Sequence, residues 1–164
     1  MAHMNYGCMH PSPKTTEYPV AADQFFSHIG PNLVNITTGY ITLAETADTT
    51  IFGVAVVPKG RGNPANTSDL YWKSNGTSGV DKIPIIKVDS GYNFLFLADD
   101  TPTASQAGNA CDLTAANAAG VDYVDIGNST NDIFIIQGRG VDYNADAGAN
   151  DVVVKLNREV RQGD

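Results

Sequence analysis

The chain has 164 residues, of which only 17% are charged, and a formal net charge of −8 from 10 Lys+Arg against 18 Asp+Glu. That length suits one domain with a full hydrophobic core, and an acidic excess with no basic stripe argues against nucleic-acid binding, which needs clustered Lys and Arg to displace counterions. Fifteen of the eighteen acids are Asp, with only Glu17, Glu45 and Glu159 as Glu; Asp favours turns and depresses helices, so helix bundles and coiled coils are unsupported as well.

Residues 1–22 carry Pro11, Pro13 and Pro19 among Ser, Thr and Lys, a composition that predicts an extended N-terminal arm with a partner to hold. The first eleven residues lack the charged start and apolar stretch of a signal peptide, so synthesis without export is expected. A single domain, 23–164, follows. Its first anchor is Phe25-Phe26, read as a short helical turn capped by Asp23 and broken at Gly30-Pro31. Segments 32–37 and 40–44 flank Thr38-Gly39, a hairpin signal, because glycine takes the positive φ that a tight turn requires.

Residues 50–57 are rich in β-branched side chains and stop at Pro58, which predicts a strong strand. The polar stretch 58–82 reads as a long excursion, with Tyr71-Trp72 exposed on it as contact anchors. Strands are predicted again at 82–88 and 92–98 around Asp89-Ser90-Gly91, with Pro84 placing the first at a sheet edge. The small, polar stretch 99–121 has room for one weak helical turn. Three more strands are expected at 122–126, 132–137 and 151–156. About eight short strands with little helix predict an all-β fold, a small β-barrel or β-sandwich. The longest apolar run, Ile51 to Pro58, is far short of a membrane-spanning helix, so no membrane partner is expected.

Chemistry is sparse. There is no nucleophile elbow, no phosphate-binding glycine loop and no HExxH, and two of the three histidines, His3 and His10, lie in the arm. His28 stands alone in an apolar context and reads as packing or surface. Cys8 and Cys111 fit neither a zinc motif nor a redox pair; Cys8 with His10 and His3 lacks a fourth ligand for a metal, and Cys111 reads as a small buried residue at a strand start. Asp99-Asp100 reads as a solvated turn. The four Asn-X-Ser/Thr sequons, at Asn35, Asn66, Asn75 and Asn128, read as Asn/Thr-rich loops. Asp142, Asn144 and Asp146 place oxygens at alternate positions like the start of a calcium loop, but glycine is displaced by one and Val153 stands where a bidentate Glu belongs, so a polar hairpin loop is the favoured reading. No cofactor is expected, and no enzymatic activity.

Tyr40-Ile41-Thr42-Leu43-Ala44 with 47–55, then Gly108-Asn109-Ala110-Cys111-Asp112-Leu113, then 124–134, resemble the small capsid decoration, or cement, proteins of tailed bacteriophages. The likeness spans about residues 30–156 and rests on turn-and-strand patterns. It implies a non-enzymatic, β-rich accessory protein of the virion, bound to the major capsid protein on the outer face of the expanded head, often as a homotrimer. Beside it, the arm and the 58–82 segment are the expected shell or subunit contacts, through Tyr6, Tyr18, Phe25, Phe26, Tyr71 and Trp72. The competing function is a carbohydrate- or receptor-binding module of a head fibre or adhesion protein, with Tyr71, Trp72 and Tyr143 as stacking platforms. A β-barrel hydrolase is a third class, for which no catalytic constellation emerges.

Overall fold

In a computed structural model, residues 7–28, 30–56, 71–115 and 122–162 are described. They form an all-β molecule of thirteen strands: β1 (Gly7–Cys8), β2 (Thr16–Pro19), β3 (Phe25–Ser27), β4 (Asn32–Thr37), β5 (Tyr40–Leu43), β6 (Gly53–Ala55), β7 (Tyr71–Lys73), β8 (Lys82–Lys87), β9 (Phe94–Ala98), β10 (Ala110–Thr114), β11 (Tyr123–Asp125), β12 (Phe134–Arg139) and β13 (Asp151–Leu156). One α-helical turn, α1 (Gly140–Tyr143), and short 3₁₀ turns supply the little helix among these residues.

The strands nearest the C-terminus close into a barrel. The order β9-β11-β10-β12-β13 returns to β9, because β13 pairs with β9 over Asp151–Val154 and Phe94–Leu97. On its opposite edge β9 takes β11 in parallel at Leu97 and Ala98, and β1 antiparallel at Phe94 and Leu95. Period-two alternation explains the filling: Phe94, Phe96 and Ala98 of β9 join Cys111, Leu113, Val124, Phe134, Ile136, Val152 and Val154 in one buried cluster. Phe96 meets Phe134 edge to face at 5.0 Å.

The second sheet runs β2-β8-β6-β4-β5. Leu33, Val54 and Ile86 lie side by side across three of its strands and belong to the cluster that fills the barrel. Val34, Ile41, Ala55, Ile83 and Ile85, on the other face, close over Phe26 and Trp72 from the ribbon β3–β7. A sheet buried on both faces needs apolar residues at consecutive positions, which is why residues 51–55 are all buried. The edges of this sheet approach each other, since Val20, just after β2, bridges Ile41 of β5. At Gly53 the strands pass so closely that an added Cβ would strike the carbonyl oxygen of Ile86 and lie 2.8 Å from Cγ2 of Ile85, so only glycine fits.

The hairpin at Thr38-Gly39 forms as expected, with φ of 52° and 85° in a two-residue turn between Thr37 and Tyr40. Four expectations change. Phe25-Phe26 is a strand rather than a helical turn, because Trp72 and Lys73, far away in sequence, pair with it. Tyr71-Trp72 is that partner strand and not part of an exposed loop. Pro84 is interior, between β2 and β6: its carbonyl accepts from the N–H of Val56 at 2.9 Å, so its missing donor faces the point where β6 has ended. The strands outnumber the eight expected, because β1, β2, β3, β7 and β10 have only two to five residues each.

The described part of the N-terminal segment lies on its own chain, with bends at residues 10–12 between β1 and β2. β1 lengthens the edge of β9, the N–H of Met9 donates to the carbonyl of Asn93 at 2.9 Å, the His10 ring lies 4.9 Å from that of Tyr92, and β2 pairs with β8 over four residues.

Candidate functional site

The aromatic residues proposed for contacts separate by strand parity. Phe26 and Trp72 are directly paired across the β3–β7 ribbon, stack at 5.4 Å and are fully buried; they belong to the core and offer no contact surface, because their face of the ribbon covers the central sheet. Phe25 and Tyr71 lie on the opposite face, half-buried, with ring centroids 5.5 Å apart. Lys73 Nζ sits 5.3 Å over the Phe25 ring and 2.6 Å from Asp23 Oδ1, which holds the ring under a charge pair. Tyr18 packs against the same buried cluster as Phe26 and Trp72, edge to face on Phe52 at 5.0 Å with Lys87 Nζ 5.5 Å from its ring. Tyr6 and the stretch 58–70 lie outside the described residues, as does His3. Among the described residues the exposed large apolar side chains are Met9, Val80, Tyr123, Val141 and Tyr143.

The calcium-like spacing does not assemble a calcium loop. Arg139 clamps Asp142 with two hydrogen bonds, Nε to Oδ2 at 2.9 Å and Nη2 to Oδ1 at 2.7 Å, and Asn144 Oδ1 accepts from the N–H of Asp146. The Arg139 hydrogen bond holds the Asp142 carboxyl below its ordinary range. Among the described residues, no three His, Cys, Asp or Glu side chains form a metal-binding group.

The Asp excess has a structural use instead. Asp112, only 3% exposed, accepts from the backbone N–H groups of Thr130, Asn131 and Asp132 at 2.8–3.0 Å. Asp122 Oδ2 accepts from the N–H of Leu33 and ties the barrel to the central sheet. Asp81 caps Asn75, Asp48 caps Glu45, and Asp99 accepts from Ile126. Two amides act likewise: Gln162 donates to and accepts from the backbone of Ile36, extending the sheet with a side chain, and Gln24 accepts from the N–H of Leu43. The sequence signal for the Asp pins was their abundance beside Asn, Gly and Ser; nothing local marked the glutamines.

Cys111 is buried in the barrel, and burial foremost, with Asp112 and further carboxylates adding to it, pushes its thiol up to about 12. Burial also raises the half-buried Cys8. Cys111 should therefore resist a thiol reagent at pH 8 until the chain is unfolded in urea. The folded thiol keeps its proton to about pH 12 while the unfolded thiol releases it near 9, so this contribution is complete below pH 9 and falls as pH rises toward 12. Urea titrations should find a loss of up to about 1.4 kcal/mol per pH unit above pH 9 that Cys111→Ala removes.

The chain matches no protein-family model, no curated protein and no solved structure.

Proposed function

We propose that this chain is a bacteriophage capsid decoration protein, made in the host cytoplasm, which binds the major capsid protein on the outer surface of the expanded head and stabilises it as a homotrimer. The observation that carries this is the N-terminal segment: residues 7–15 lie along the body, with Gly7 and Cys8 paired on β9, the N–H of Met9 on Asn93, the His10 ring on Tyr92 and the N–H of Lys14 on the Tyr92 hydroxyl. An edge segment that pairs through its main chain can pair in the same way with a neighbouring subunit, where main-chain hydrogen bonds supply affinity. The outward pair Phe25–Tyr71 offers an aromatic anchor on the ribbon. Net negative charge keeps such a protein apart from packaged DNA, and many copies on one shell make modest contacts collectively strong. The role calls for no catalysis and no cofactor.

Co-sedimentation with expanded capsids tests this. Deletion of residues 1–15 spares β2 and so leaves the central sheet intact; the truncated protein is expected to keep its far-ultraviolet circular dichroism and lose at least about tenfold in capsid affinity, equivalent to about 1.4 kcal/mol. Unchanged binding would reject the arm's role, and no binding by the intact chain would reject the decoration role. Carbohydrate or receptor binding is less well supported, since the ring of Trp72 is internal and only Tyr143 of its aromatic platforms is exposed; a glycan array is expected to be blank.

A further inference from the structure

The turn that joins β7 to β8 holds the one Asn-Gly pair of the chain, Asn75-Gly76. Asn75 is fixed through its N–H, which donates to Asp81 Oδ2 at 2.7 Å, its carbonyl, which accepts from the N–H of Asp23 at 3.1 Å, and its Oδ1, which accepts from the N–H of Thr77 at 3.0 Å. Its amide nitrogen and the N–H of Gly76 bond to nothing among the described residues. The amide nitrogens of Asn32, Asn35 and Asn157, by contrast, are held by Ser27, Asp48 and Asp132. Gly76, Thr77 and Ser78 are exposed, and the atom nearest to where a Gly76 Cβ would stand is Asp23 Oδ1, 3.9 Å away.

Together these features favour one reaction. The Thr77 bond closes a ring that contains both the Asn75 Cγ and the Gly76 nitrogen, which keeps an electrophile beside a nucleophile. The same N–H points at the oxygen on which negative charge develops when that nitrogen adds to Cγ. Glycine puts no side chain in the way, and its backbone reaches conformations that other residues resist. The leaving group, Nδ2, is free to depart.

We propose that Asn75-Gly76 is a self-modifying site, at which the asparagine deamidates in the folded protein. The Gly76 nitrogen bonds to Cγ, the Cγ–Nδ2 bond breaks, and the proton from Gly76 leaves with Nδ2 as ammonia, giving a succinimide. Water then opens the ring. Cleavage at Cγ gives aspartate in the original main chain; cleavage at the main-chain carbonyl carbon gives isoaspartate, with the chain rerouted through Cβ and Cγ. Either product sets a carboxylate beside those of Asp23 and Asp81, and isoaspartate also turns the carbonyl that accepts from Asp23 into that carboxylate. The reaction thus adds a negative charge and loosens the turn's hold on the residues leading into β3.

The test is ageing of the purified full chain at mildly alkaline pH and body temperature, followed by tryptic peptide mapping. The peptide Ser74–Lys82 should gain a single mass unit and resolve into aspartate and isoaspartate forms, the second of which accepts a methyl group from an isoaspartyl methyltransferase. The same peptide, made synthetically, sets the reference: Asn75 in the folded chain is expected to convert within about tenfold of its rate, and at least about tenfold faster than any other asparagine of the chain. Gly76→Ala, whose Cβ has room, should keep the parent's Tm and slow the conversion about tenfold or more. The converted fraction, separated by anion exchange, should melt about 3 °C below the parent. The proposal is overturned by an Asn75 more than about tenfold slower in the folded chain than in the peptide, by conversion as fast at another asparagine, by an equal rate in the Gly76→Ala chain, or by a converted chain with the parent's Tm.

Discussion

Replacing Asp112 by alanine is expected to lower the stability of the folded chain by about 3 kcal/mol, a large fraction of the 5–15 kcal/mol that holds a domain together. The carboxylate is 3% exposed and accepts three successive backbone N–H groups: Oδ2 from Thr130 at 3.0 Å, and Oδ1 from Asn131 at 2.8 Å and Asp132 at 2.9 Å. Its own N–H donates to the carbonyl of Asn128, so one residue of β10 holds both ends of the loop that leads into β12. Within that loop Asp132 has φ of 52°, a left-handed conformation that a non-glycine residue holds only when its surroundings fix it. Alanine would leave three donors aimed at empty space, and water reaches them only in part, since Asn131 and Asp132 are half-buried. Asparagine should cost roughly half as much, because one oxygen can still accept while an amide NH₂ opposes the remaining donor. Urea unfolding measures both, and an alanine variant within about 1 kcal/mol of the parent chain would show that the carboxylate is dispensable. A second readout follows from chemistry: Asp112 is the foremost carboxylate raising the Cys111 thiol, so Cys111 in the Asp112→Asn protein should react with a thiol reagent at lower pH than in the parent.

How much of this could be read from the sequence depends on how far each element reaches for its partner. The Thr38-Gly39 hairpin was legible because pairing, turn and positive φ all lie within ten residues, Val34 to Leu43. The runs at 82–88, 92–98, 132–137 and 151–156 were legible because β-branched and aromatic residues are dense there, and of the run at 50–57 the part Gly53–Ala55 is strand. β1, β2, β3 and β7 were not: they have two to four residues, too few for a period, and exist because Phe94, Ile85, Trp72 and Phe26 lie opposite them. Pro84 misled for a related reason, since proline bars a strand from the interior only where a neighbour requires its N–H, and β6 is too short to require it. In the 142–146 stretch the oxygen spacing was read correctly; the overlooked signal was Arg139, three residues before Asp142 and within reach of it. The aromatic contact candidates were half legible, because composition marks a ring as an anchor while strand parity decides whether it faces solvent or core.

Trp72→Ala makes that distinction measurable and is expected to cost about 3–5 kcal/mol, since a fully buried tryptophan leaves a cavity that strands on several sides cannot collapse to fill. The side chain has no exposure, stacks on Phe26 and belongs to the core beneath the central sheet with Val34, Ile41, Ile83 and Ile85. Its indole Nε1 is buried without an acceptor. Trp72→Phe removes that unmet donor along with part of the ring, so the two effects oppose and the loss should stay below about 2 kcal/mol. As the single tryptophan of the chain, it also reports its own surroundings: emission should be blue-shifted and resist quenching by iodide, then shift red as urea unfolds the protein. Phe25→Ala and Tyr71→Ala, on the half-buried face, should cost about 1 kcal/mol each and act chiefly on capsid binding. If Trp72→Ala instead left stability intact and only weakened binding, the tryptophan would have to lie on the surface, and the packing of the β3–β7 ribbon against the central sheet would be wrong.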